Sequence, residues 1–188
     1  LLEEVERLAN IVEGLFALSR LDAGEAQREV CDVDLGKLAT TTAEQMGLLA
    51  EDKRISLRCE AAETVIVRGD RSRLKQVIVN LLDNAIKYTP EGGQVRVIVR
   101  STPECAILEV EDDGMGIPAA ALPHIFDRFY RVDKARSRDQ GGAGLGLAIA
   151  KAICSGHQGR IEASSLPGGG TRFRVELPHP LSLPRTEI

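Results

Sequence analysis

Arg73, Gln76, Asn80, Asn84 and Lys87 recur at helical spacing within one stretch of the chain. At about 100° per residue they share an arc of about 80°. Asn is a mediocre helix former, so two of them on one stripe are unusual. Asn80 and Asn84 supply neutral oxygen donors and Lys87 a cation, a set that suits a hard metal ion and an anionic phosphate. An ordinary solvated face would account for the same stripe, and this helix alone leaves both readings open.

Three glycine loops follow. EVEDDGMGIP sets Asp112, Gly114 and Gly116 after a run of strand-forming residues. Glycines spaced by one let the backbone pass close to a flat ligand, and a carboxylate at a strand end can accept its hydrogen bond. A plain turn after a strand also contains Gly and Asp. GGAGLGLAIAK is more specific, because Gly141, Gly142, Gly144 and Gly146 run into a helix with a Leu145, Ala148, Ile149, Ala152, Ile153 stripe. Glycines at a helix start offer N–H groups and the positive dipole end to an anion. A flexible linker fits poorly, since Leu145 and Leu147 interrupt it. The third loop, PGGGTRF, reads as a hairpin turn when taken alone. There is no GxxxxGK[ST], and the glycines come too late and at the wrong spacing for a dinucleotide fingerprint. The residues point to a nucleotide site of another architecture.

The elements needed to hold these residues are legible around them. Leu74, Val77, Ile78, Leu81, Leu82 and Ala85 form the apolar face of the same helix, which runs over residues 70–88 and stops at Pro90. A second helix is expected over residues 35–52, capped by Asp34. RISLRCE and TVIVRGD read as a first strand pair, QVRVIVRS and CAILEVED as a second, and GRIEASS with TRFRVELP as a last hairpin. AAALPHIFDRFYR reads as helical in pieces. At the chain start Leu1, Val5, Leu8, Val12 and Leu15 follow a coiled-coil seam that fails at Ser19, overlapped by Leu8, Ile11, Leu15 and Leu18. That much apolar surface calls for a partner helix, and the register at Leu1 implies a longer helical region. The alternation of strands and helices predicts a mixed α/β layer with helices on one face of a sheet.

Composition narrows the class. With 43% hydrophobic residues among 188, the chain can bury a core and is no disordered segment. A net charge of −4 argues against nucleic acid as a partner. No apolar run approaches the ~20 residues of a membrane span, and no signal peptide opens the chain. Cys31, Cys59, Cys105 and Cys154 form no CxxC pair, which argues against a zinc or dithiol site and fits reduced thiols in the cytoplasm.

NLLDNAIKYTP, DDGMGIP, IFDRFYR, GGAGLGLAIAK and PGGGTRF resemble, in order, the N box, first glycine box, F box, second glycine box and third glycine box of bacterial sensor histidine kinases. RVDKARSRDQGGAGLGLAIAK is similar to metal-sensing membrane kinases. The resemblance implies a two-layer α/β sandwich with a mixed, mostly antiparallel sheet, the fold shared with type II topoisomerases, Hsp90 and mismatch-repair ATPases. Residues 1–28 would be part of the second helix of the dimerisation and phosphoacceptor domain, 29–34 a linker, 35–178 the catalytic ATP-binding domain and 179–188 a tail.

The resemblance also implies roles. Asp112 would accept the adenine amino group, with Gly114, Gly116 and Thr171 in the same pocket. Asn84, with Asn80 as a second donor, would hold Mg²⁺. Lys87 would neutralise phosphate charge and Tyr88 would flank the nucleotide. Residues 131–142 would form a lid leading into Gly142, Gly144, Leu145 and Gly146, with Arg131 available to the γ-phosphate. Phe126 and Phe129 would pack the base of the lid, or serve simply as core residues. The ATP-hydrolysing relatives carry Glu where this chain has Asn80; an amide cannot take a proton from water, which suits transfer over hydrolysis. None of His124, His157 and His179 lies in an HE-x-x-x-P context. The acceptor histidine would therefore belong to another helix, and His157 would be structural. A response regulator, the parent's own dimerisation helices and a homodimeric parent in the inner membrane are the partners and setting implied. A regulatory module that binds nucleotide without transfer and a serine-directed anti-sigma kinase are the competing readings.

Overall fold

The computed structural model describes residues 2–22, 29–61, 64–132 and 143–180. Two aspartates start the helices that matter most. Asp34 ends strand β1 (Val30–Asp34) and its side chain accepts the Lys37 N–H, opening α2 (Leu35–Asp52). Asp70 ends β3 (Ile66–Asp70), and its Oδ1 accepts the Ser72 and Arg73 N–H groups at 2.9 and 3.1 Å, opening α3 (Arg71–Tyr88). Each cap satisfies backbone donors that a helix start leaves without partners.

Among the described residues, seven strands make two sheets. The larger runs β2 (Ser56–Ala61), β4 (Gln94–Ser101), β5 (Cys105–Asp112), β7 (Thr171–Pro178), β6 (Arg160–Ser165). Its β2–β4 pair is parallel and the rest are antiparallel. The smaller sheet pairs β1 with β3. Helices α2, α3 and α4 (Gly146–Gly156) cover one face of the larger sheet. There Val95, Val97, Leu108, Val110, Phe173 and Val175 meet the Leu74, Val77, Ile78, Leu81, Leu82 side of α3 in one continuous core. The two-layer architecture is thus the expected one.

The open face of the sheet carries a lattice of charges set by strand register. Arg96, Glu111 and Arg172 lie side by side on β4, β5 and β7, and Glu111 accepts from Arg96 at 2.5 Å and Arg172 at 2.6 Å. Glu109 is shared in the same way by Arg100 and Arg174. Burial pushes the Glu111 carboxyl up, but the two guanidiniums outweigh it and hold it below the usual range.

Three expectations on the periphery are corrected. Residues 30–34 are no linker: Val33 is buried and pairs with Val67, so the β-branched residues of this stretch complete a small sheet. RISLRCE and TVIVRGD do not pair with each other; β2 joins β4 in parallel while β3 turns away to β1. AAALPHIFDRFYR holds one short 3₁₀ turn, Leu122–His124, and otherwise turns.

Helix α1 (Leu2–Asp22) packs one side on its own domain. Leu18 is buried, and Gly14 lies so close to α4 that an added Cβ would sit 2.8 Å from Leu145 Cδ1. The Val5, Leu8, Val12, Phe16 side remains exposed.

Candidate nucleotide-binding site

Strand β5 delivers Asp112 to the end of the core, where it is 5% exposed. Its Oδ1 accepts the backbone N–H of Gly114 at 2.9 Å and of Thr171 at 3.2 Å. Burial raises this carboxyl above the ordinary value, and those two bonds offset only part of the shift. Glycine is required around it. A Cβ at Gly114 would lie 2.5 Å from the Tyr88 carbonyl oxygen, and one at Gly170 would overlap the Asp112 carbonyl oxygen. Gly116 and Gly170 both have positive φ and face each other, with a Cβ at Gly116 3.3 Å from Gly170 O. The third glycine loop is therefore more than a hairpin turn, because it is the wall against which the first loop packs. Asp113 Oδ1 accepts the Gln94 N–H at 2.7 Å, tying the first loop to β4; nothing in the local sequence pattern marked that tie.

The polar stripe of α3 leads away from this carboxylate. Lys87 and Tyr88 form its last turn, beside Gly114, and Asn84 and Asn80 lie one and two turns back. Asn84 Nδ2 donates to the Asn80 carbonyl at 2.8 Å, so its amide oxygen is the atom left for a ligand. Asn80 Nδ2 donates to Gly146 O at 2.9 Å, joining α3 to the first turn of α4. No side chain caps α4, and Leu145 at its N-cap is 3% exposed, held beneath α1. Gly144, with φ of 71°, lies against the Phe129 backbone and accepts the Phe129 N–H at 2.9 Å. Phe129 itself has φ of 63° and is half exposed, whereas Phe126 packs partly against the core. Lys87 is lowered from its ordinary pKa by burial and next by the charge of Arg131.

The sequence-derived set thus forms two connected ends. Asp112, Gly114, Gly116 and Thr171 make one; Asn80, Asn84, Lys87, Arg131, Gly144, Leu145 and Gly146 belong to the other, and Tyr88 lies between them. Gly141, Gly142 and lid residues 133–140 lie outside the described residues. Two grooves of about 530 and 490 Å³ lie elsewhere, lined by residues such as Thr40 and Arg71 or Leu18 and Lys151. His157 is structural, as expected: its Nε2 accepts the Asp70 N–H at 3.0 Å and its Nδ1 donates to Ile153 O at 2.8 Å. No cluster of three or more His, Cys, Asp or Glu that could hold a metal ion occurs among the described residues.

Residues 69–181 match the family model described as histidine kinase-, DNA gyrase B-, and HSP90-like ATPase. The chain belongs to this ATPase family. The sensor protein SphS of Synechococcus elongatus is 41% identical over 97% of this chain and 46% of its own length. The sensor histidine kinase WalK of Bacillus subtilis is 36% identical over 94% of the chain and 29% of its own. The chain thus spans less than half the length of either relative. Among solved structures, full-length ShkA in complex with AMPPNP superposes with a TM-score of 0.77 at 28% identity, over 91% of this chain and 35% of that one. Histidine kinase ThkA in complex with the response regulator TrrA gives 0.74 at 25%, over 93% and 48%. This ATPase domain therefore shares its architecture with histidine kinase catalytic domains, including the helix ahead of the sheet. No described helix is long and apolar enough to cross a membrane.

Proposed function

We propose that this chain is the ATP-binding catalytic domain of a two-component sensor histidine kinase, with α1 as part of the second helix of its dimerisation domain. It passes the γ-phosphoryl of ATP to a histidine on another helix of the parent, from which an aspartate of a response regulator receives it. The observation that carries this reading is Asp112, a buried carboxylate aligned by two backbone N–H groups at one end of the site and joined through α3 to an amide-and-cation end. The relative solved with AMPPNP supports a triphosphate ligand, and the one solved with its regulator supports that partner.

Asp112 accepts the adenine amino group, and the glycines at 114 and 116 leave room for the base. Lys87 and Arg131 present cations to the phosphates. Asn84, with Asn80 as a second donor, fits Mg²⁺, a hard cation that takes few protein oxygens and keeps water and phosphate ligands. When bound, it neutralises phosphate charge. Asn80 spends its N–H on Gly146 and offers no base to water, so the phosphoryl group waits for an external acceptor. Exposed Val5, Leu8, Val12 and Phe16 on α1 suit the helices of a homodimeric parent, an inner-membrane protein with this domain on the cytoplasmic side.

The test is calorimetry with Mg-ATP and Mg-ADP, followed by transfer of labelled phosphate to a separately supplied dimerisation domain. Micromolar or weaker binding, about −8 kcal/mol or less favourable, is expected, with acid-labile label on the supplied histidine. No nucleotide binding refutes the site. Binding without transfer refutes the kinase and leaves a regulatory module.

A further inference from the structure

Lys53 belongs to none of the glycine loops or polar stripes that mark the site. It follows α2 directly, and its half-buried ammonium reaches across to the end of α3. There Nζ donates to Ile86 O at 2.7 Å, Lys87 O at 3.0 Å and Thr89 O at 3.4 Å. An ammonium has three N–H protons, and here three carbonyls converge on it. The last carbonyls of a helix lack intrahelical donors and carry the negative end of its dipole, so a cation at this point is doubly favoured. The one carbonyl of this turn that Lys53 does not engage, Tyr88 O, is the surface against which Gly114 packs. The turn that carries Lys87 is therefore held on one side by Lys53 and meets the first glycine loop on the other.

We infer that Lys53 is a positioning residue for the phosphate end of the nucleotide site, fixing the Ile86–Thr89 backbone so that the Lys87 side chain is aimed at the ligand. The inference rests on the nucleotide site proposed above. Lys53 touches no ligand itself. Its effect passes through the backbone of one helical turn, so it falls on phosphate recognition and spares the base. Arginine would be a poor replacement, because its planar fork does not converge three donors on one point.

The experiment measures ADP and adenosine affinity for the 188-residue chain as wild type, Lys53→Met, Lys87→Met and the double variant, each well below its own melting temperature. Met keeps the apolar stem and removes the donors. Lys53→Met is expected to weaken ADP about tenfold and adenosine less than about twofold, and its effect should largely vanish when Lys87 is already Met, because both act through one contact. Equal weakening of both ligands, strictly additive losses, or unchanged ADP affinity with only a lower melting temperature would each overturn the inference. If the Met variant does not fold, Lys53→Gln retains two donor protons and should weaken ADP about threefold while leaving adenosine unchanged; unchanged ADP binding there overturns it equally. A wild-type chain that binds neither ligand would overturn the nucleotide site itself, before any variant is compared.

Discussion

Asp112→Asn separates the folding role of this residue from its binding role. The Gly114 and Thr171 N–H groups both point at Oδ1, so the amide of the variant must place its oxygen there. Its NH₂ then occupies the Oδ2 position and meets the adenine amino group donor to donor. The variant keeps both internal bonds and loses one charge-assisted bond to the base, worth about 1.5–3 kcal/mol. That corresponds to a loss of about 10- to 150-fold in ADP affinity. Stability should behave differently. The folded protein holds this carboxyl above its unfolded pKa, so keeping it ionised at neutral pH costs stability, a cost that disappears below the usual carboxylate range. The neutral amide removes that cost, and the melting temperature should hold or rise. Calorimetric titration with Mg-ADP and a thermal melt on the same samples make the comparison. Unchanged ADP affinity, or a melting temperature that falls along with affinity, would refute the orientation argument.

Other expectations follow from the same geometry. Wild-type affinity for adenosine, which carries no phosphate to titrate, should begin to decline on acidification above the ordinary carboxylate range, since Asp112 must be ionised to accept well; titration over falling pH should show a decline that Asp112→Asn lacks. Gly170→Ala puts a Cβ onto the Asp112 carbonyl at a φ of 95°, and should lower the urea unfolding free energy by about 2–4 kcal/mol. His157→Ala strips the acceptor from the Asp70 N–H and should cost about 1–3 kcal/mol in the same measurement, with ADP affinity of the folded protein retained. Burial pushes the Cys154 thiol up to about 12, so a thiol reagent at pH 8 should modify exposed Cys31 readily and Cys154 only on unfolding; prompt modification of Cys154 in the folded chain would contradict its burial.

Much of this protein is written in local pattern. The two faces of α3, the aspartates that cap α2 and α3, and the glycines before α4 are all legible along the chain, because helical period, capping and backbone freedom act over a few residues. Tertiary structure decided which segments meet. TVIVRGD has the composition of a strand for any sheet, and only the three-dimensional arrangement sends β3 to β1 while β2 lies parallel to β4. Glu109 and Glu111 look like polar positions on a solvated strand, yet flanking arginines on β4 and β7 cover them once the register is set. Gly170 reads as a turn residue until Asp112 arrives beside it from another strand, and Lys53 as a surface lysine until α3 ends against it. Period and propensity are properties of a segment by itself. A hydrogen bond between residues far apart in sequence depends on how the whole core packs, so the supports of the site appear only when the chain is folded.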